Sequence, residues 1–447
     1  MAVRSSSTPA RAASTRAVLT LRATACALGV CLLALVRDGV VTTQRPSVLA
    51  TLALIALAAI TSLLLWELYR TLERGGVRPV FAALVLVLAG LTVASALRYD
   101  RGDLEAYAGY AKLPAFADAY HPPVHHFGPA FAAVNAHWGP QLPPCVYGPL
   151  WLAFERALIH GAPSLAVALA VLRAVAALAF LAFLALLWGL TRSPALVAVA
   201  AVSPTFLDEY VAAAHNDLLA VVLCLAAILA MRRSAPARIA LAILLAAAAG
   251  LVKSVFVVIA LVAFARLERP LARVAACAAA IVLAAGVSVA WGGAAYVAAM
   301  RGVQGTGALD LRHNFAGAAA HDAAAALAVL ALAAALFTRR RLPPASPFTF
   351  AGLGVAVYEW YLLWGLPFAA AVFAPRRIAA FVVLCPLAEA VVGSNLRLVN
   401  STLFLGVAVV ATIVQAVREP GRTGRSSSDA VPGHLRTEPA GDLSSRR

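Results

Sequence analysis

The chain has 447 residues, 62% of them hydrophobic and only 13% charged, and its mean hydropathy is +0.87. A composition this apolar excludes a soluble globular protein and predicts an all-α polytopic membrane protein. The formal net charge of +16 comes from Lys and Arg gathered in short clusters between apolar runs, so it is a topology signal and not the footprint of a nucleic-acid partner.

In chain order, residues 1–16 form a Ser-, Ala- and Arg-rich tail expected on the cytoplasmic side. The apolar run that follows has no convincing small-residue cleavage site and is expected to stay as an anchor. Residues 17–417 form the membrane domain, with apolar runs near 17–36, 48–69, 79–97, 164–190, 194–208, 216–231, 237–252, 254–265, 271–291, 322–338, 347–358, 360–373, 376–392 and 397–417. Several fall short of the roughly 20 residues a simple span needs and read as half-spans in pairs, so the expectation is about 12–14 transmembrane helices. Residues 418–447 are polar and rich in Ser, Gly, Pro and Arg, a composition expected of a disordered cytoplasmic tail.

Basic residues set the orientation. With 70–78, 232–238, 266–273, 339–341 and 376–377 inside, fourteen crossings place both termini in the cytoplasm. The loop 98–163, the tip 208–217, the turn at Lys253, the loop 291–322 and the segment 358–361 then share the extracytoplasmic face. Within 98–163, the stretch from Tyr147 predicts an amphipathic helix of about four turns lying along the membrane surface.

The polar residues on that face carry any chemistry. Asp100, Asp103 and Glu105 lie within one turn at the mouth of an apolar segment, where one of them can act as a general base or simply be solvated. Asp208, Glu209, His215, Asn216 and Asp217 crowd between two apolar runs, a costly place for polar groups unless they face water, protein or ligand. Helix capping by Asn216 or Asp217 is the alternative reading. Lys253, between two apolar runs, avoids a cost of about 2.5–3.5 kcal/mol if two short helices meet there. Its ammonium is then expected at the interface, either beside a lipid phosphate or snorkelling to headgroups. Arg312 and His313, in the loop 291–322, are further candidates for a phosphate, and Tyr358, Glu359, Trp360 and Tyr361 lie between two short runs as Lys253 does, where their aromatic rings read as an interfacial belt. The His121, His125 and His126 cluster lacks helical metal-ligand spacing, the six cysteines form no CxxC motif, and there is no Gly-rich phosphate loop, so neither a metal nor a nucleotide cofactor is expected.

The motifs DLEAY at 103–107, YGPLW at 147–151, HNDLL at 215–219, LVK at 251–253 and WYLLWGLP at 360–367 together resemble the GT-C superfamily of membrane glycosyltransferases. The resemblance is nearest to the bacterial polyprenol-phosphate-mannose-dependent α-(1→6) mannosyltransferases and covers residues 79–417. It implies a GT-C-type helical fold in the bacterial plasma membrane with an extracytoplasmic active site. It also implies inverting transfer of a sugar, mannose in the family, from a polyprenyl-phosphate donor to a glycan or glycolipid acceptor. The family's catalytic carboxylate maps onto Asp103, with Asp100 as rival. Lys253, Arg312 and His313 fall to the donor phosphate, and Tyr107, Tyr147, His215, Asn216, Asp217 and Trp360 to sugar and acceptor. No cofactor is implied. A transporter or flippase of a lipid-linked glycan is the competing reading; it requires ionisable residues near mid-span on several helices, whereas here they gather on one face.

Overall fold

Proline and serine punctuate the apolar sequence and decide where its helices begin. Pro149, Pro194, Pro204 and Pro236 each sit in the first turn of a helix, where the missing N–H is no loss. The Ser164 and Ser193 hydroxyls accept from the Val167 and Leu196 amides, capping otherwise orphaned donors. The computed structural model describes residues 9–43, 48–75, 90, 102–233, 235–302, 315–338, 342–354, 357–392 and 397–418. Among these residues there is no strand, and the protein is an all-α polytopic membrane protein.

Six described helices are long and apolar enough to cross a bilayer: Ala17–Arg37, Val48–Arg74, Leu165–Thr191, Pro270–Gly302, Ala316–Phe337 and Ser401–Arg418. Pro194–Val202 and Pro204–Ala212 form one broken span bent by 63°. The runs expected near 216–231, 237–252 and 254–265 are shorter helices, Asp217–Ala230, Pro236–Val252 and Val255–Arg266. Most of the run 79–97 and the tail 419–447 lie outside the described residues.

The short helices gather around Asp217–Ala230, which packs on Leu165–Thr191 and Pro236–Val252. The loop helices Gly102–Lys112 and Pro149–Ile159 lie against each other beside them. Arg156 ties the two together by donating to the Leu113 carbonyl at 2.8 Å. Pro149–Ile159 is shorter than the four turns expected and has two distinct faces. Phe154 and Leu158 point outward, whereas Trp151, Leu152, Glu155 and Ile159 are buried.

Glu155 is fully buried beside the Trp151 indole, and neither carboxyl oxygen forms a well-aligned hydrogen bond among the described residues. Burial pushes its pKa well above the ordinary value of 4.5, so the acid is held neutral. In the unfolded chain it ionises near that ordinary value, and stability therefore falls as pH rises above it. Glu155→Gln is expected to raise the thermal midpoint at neutral pH, by roughly 2 °C for each kcal/mol recovered, and to flatten the decline of that midpoint with pH. An unchanged pH dependence in the variant would count against a neutral Glu155.

Candidate functional site

Two breaks in helical geometry present the polar residues. The broken span ends in a π-helical turn, Leu207–Ala212, a widened turn that recurs at functional sites. Ala214 follows with φ +50°, a left-handed conformation costing a non-glycine residue roughly 1–2 kcal/mol. Together they turn His215 inward ahead of the helix that starts at Asp217. The Arg173 side chain, from within Leu165–Thr191, donates to the Ala212 carbonyl at 3.0 Å and fixes the end of this turn.

The second break is at Lys253, whose extended backbone (φ −152°, ψ 122°) ends the helix Pro236–Val252 before Val255–Ala260 begins. The freed Val252 carbonyl accepts from the Gly148 amide at 2.8 Å. Only glycine fits there, because a Cβ on residue 148 would lie 2.1 Å from the Leu251 oxygen. This contact brings Tyr147 and the loop helices against Lys253.

The carboxylates of the cluster differ sharply in their partners. Asp217 is buried and accepts from Lys253 Nζ at 2.9 and 3.0 Å and from the Trp364 indole at 2.6 Å. The same ammonium lies over the rings of Tyr361, Trp364 and Tyr147, at 4.7, 5.1 and 5.6 Å from their centroids. Lys253 thus separates two helices as expected, but its partner is an internal carboxylate. Glu105, also buried, faces His137 Nδ1 at 3.3 Å. Asp208 pairs with Arg37, which also donates to Glu389 at 3.0 Å.

Asp103 is different. Its Oδ2 accepts from the Tyr147 hydroxyl at 3.1 Å and lies 3.5 Å from His215 Nε2. Its Oδ1 meets no polar partner among the described residues, and the side chain keeps 27% of its surface exposed. One oxygen is therefore oriented and the other is open. Burial pushes the Tyr147 phenol well above its ordinary value, which keeps it a hydrogen donor to Asp103.

His215 lies in an acceptor-only environment. Its Nδ1 is 2.9 Å from the Glu209 carbonyl and 3.3 Å from the Glu209 carboxylate, while Nε2 faces Asp103. Burial opposes the charged ring, but the Glu209 hydrogen bond and the charges of Asp103, Glu209 and Asp217 outweigh it and push the pKa to about 9. The imidazolium stacks on Trp360 at 4.0 Å, and Trp360 stacks on Tyr358 at 4.6 Å. Because the folded pKa is raised from 6.5, the stabilisation is complete below 6.5 and is lost as pH rises through about 9. Between those limits the thermal midpoint of the wild type is expected to fall faster than that of His215→Gln. Parallel curves for the two proteins would show that His215 is not held charged.

Of the residues singled out from the sequence, the structure brings Asp103, Tyr107, Tyr147, His215, Asp217, Lys253 and Trp360 into one region. Asn216 is buried there, and its side-chain amide atoms meet no partner among the described residues. Asp100, Arg312 and His313 lie outside the described residues. Sequence reasoning overlooked Arg173, Arg37 and Glu389, although a charge within or at the end of an apolar run is itself the signal. Among the described residues, no three His, Cys, Asp or Glu side chains are grouped to hold a metal ion.

Residues 102–268, the stretch that holds Asp103, Tyr147, His215, Asp217 and Lys253, match the MptA_B family model, described as alpha-(1->6)-mannopyranosyltransferase, N-terminal domain. No curated protein and no solved structure matches the chain. With its apolar helices and this matching segment, the chain is a multi-pass membrane protein carrying a glycosyltransferase domain of the α-(1→6)-mannopyranosyltransferase type.

Proposed function

We propose that the protein transfers a mannosyl residue, with inversion, from a polyprenyl-phosphate donor to a glycan or glycolipid acceptor on the extracytoplasmic side of the bacterial plasma membrane. The observation that carries this reading is the state of Asp103. Its Oδ2 is oriented by Tyr147 and His215 while Oδ1 stays open, and at 27% its side chain is more exposed than those of Asp217, Glu209 and Glu105.

In the proposed reaction Asp103 Oδ1 accepts the proton of an acceptor hydroxyl as that oxygen bonds to the anomeric carbon. The bond from that carbon to the phosphate oxygen breaks, and the lipid phosphate leaves with the electron pair. A single available carboxylate suits direct displacement; a double displacement would require a second as nucleophile. The donor already contains the activated bond, so the reading needs no nucleotide or metal. Tyr147 and His215 orient the base, and Tyr107, Asn216 and Trp360 are proposed to contact sugar. Asp217 neutralises Lys253, which makes Lys253 a positioning residue in this scheme. Arg312 and His313 are the proposed partners of the leaving phosphate.

The test is incubation of purified protein in lipid nanodiscs with radiolabelled polyprenyl-phosphate-mannose and an α-(1→6)-linked oligomannoside. Label is expected in a lengthened acceptor and inverted at the anomeric centre. Absence of transfer from this donor, together with movement of a lipid-linked glycan across the bilayer, would replace the enzyme with a transporter.

A further inference from the structure

The loop between Lys112 and Tyr147 folds back on itself and leaves an open cavity of about 480 Å³, lined by His121, Pro122, Trp138, Gln141, Leu142, Pro143 and Pro144. That volume lies within the range of small-molecule sites. Its walls are held by bonds across the loop. The Gln141 amide donates to the Pro122 carbonyl at 2.9 Å, the His125 amide to the Pro140 carbonyl at 2.8 Å, and the Tyr110 hydroxyl to the Pro143 carbonyl at 2.9 Å. Leu142 is buried against Gly109 of the helix that carries Asp103. Three prolines and these bonds fix the cavity in advance, which lowers the ordering cost of binding.

The lining chemistry selects the ligand class. Among the described residues no Asp, Glu, Lys or Arg lines the cavity, and this lining favours neither an anion nor a cation. The half-buried Trp138 offers an amphipathic ring, and the exposed Gln141 and His121 offer donors and acceptors. An indole beside an amide and an imidazole matches a pyranose, whose C–H face is apolar and whose rim is hydroxyl. A polyprenyl phosphate would want a cation and a long apolar groove, and the described lining offers neither.

The position of the cavity suggests its role. The Trp138 indole donates to the Gly102 carbonyl at 3.1 Å, one residue before Asp103, so the cavity adjoins the start of the helix that carries the base. We propose that it is an acceptor subsite that holds a neutral hexose of the glycan next to the sugar whose hydroxyl reacts. The assignment to the acceptor rests on the mannosyl-transfer reading above; the affinity for a neutral glycan does not.

Two measurements separate these levels. In the first, full-length Asp103→Asn protein in nanodiscs, with no donor present, is titrated with α-(1→6)-linked mannotriose by calorimetry. Adding His121→Ala and Trp138→Ala is expected to weaken binding about tenfold, the scale of losing one stacked ring. His121→Ala alone removes an exposed side chain and is expected to act in the same direction by less. In the second, KM and kcat are compared for a single-sugar acceptor, octyl α-mannoside, and for a tetrasaccharide. The His121→Ala/Trp138→Ala protein is expected to raise KM for the tetrasaccharide alone, with kcat on octyl mannoside retained to show that Gly102 and Asp103 stay in place. Equal affinity for mannotriose with and without the substitutions, or an equal KM change for both acceptors, overturns the subsite. A wild type that transfers no mannose fails the functional reading, and the calorimetric arm still decides whether the cavity binds glycan.

Discussion

Asp103→Asn is expected to lower mannosyl transfer by about three orders of magnitude, within the span attributed to a positioned general base, with a much smaller effect on the thermal midpoint. Asn keeps a carbonyl that can accept from the Tyr147 hydroxyl, so the local hydrogen bond persists, while the proton acceptor and the charge facing His215 are lost. The loss should fall on kcat, because the carboxylate acts on a proton that moves in the transition state. Tyr147→Phe is the companion measurement. It leaves the carboxylate in place but frees Oδ2 from one of its two partners, and a much smaller loss is expected. Undiminished transfer by Asp103→Asn would remove Asp103 from the base role and return the question to Asp100.

Breaking the Lys253–Asp217 pair is expected to have the largest effect on stability. Both groups are buried, and removing either strands the other as an uncompensated charge, a change that costs about 3–5 kcal/mol. Lys253→Met and Asp217→Asn should therefore each lower the midpoint of unfolding sharply. The double variant should recover most of the loss, because no charge remains and Asn can still accept from the Trp364 indole. The result also discriminates between roles. If Lys253→Met melts like the wild type yet transfers no sugar, the ammonium serves a ligand phosphate and not Asp217.

The helical membrane architecture was legible because an apolar run of spanning length has few alternatives in lipid. The break at Lys253 was legible for a related reason, since a continuous helix would have buried a cation in hydrocarbon. Its partner was not. Asp217 is 36 positions away, and sequence could place both on one face without distinguishing an internal pair from a site for phosphate. The same limit applied to Asp103, Glu105 and Glu209. Their spacing marked them as candidates, but only packing shows that His137 faces Glu105, that His215 lies between Glu209 and Asp103, and that one Asp103 oxygen stays open. The cavity beside Trp138 was invisible for another reason. It is enclosed by backbone carbonyls of Pro122 and Pro143 that accept side-chain bonds, and a sequence pattern records no such closure.

Gly148 sets which parts of the site can move independently. Its amide is the clasp between the loop helices and the broken helix end at Val252, and its neighbour Tyr147 touches both Asp103 and the Lys253 charge. Swinging the loop away would uncap a buried carbonyl and separate an ammonium from an aromatic face in one movement. The base, the loop and the Lys253 corner therefore travel as a single piece. The turn Glu359–Gly365 is fastened to the same corner, through the Trp364 indole on Asp217 and the Trp360 ring on His215.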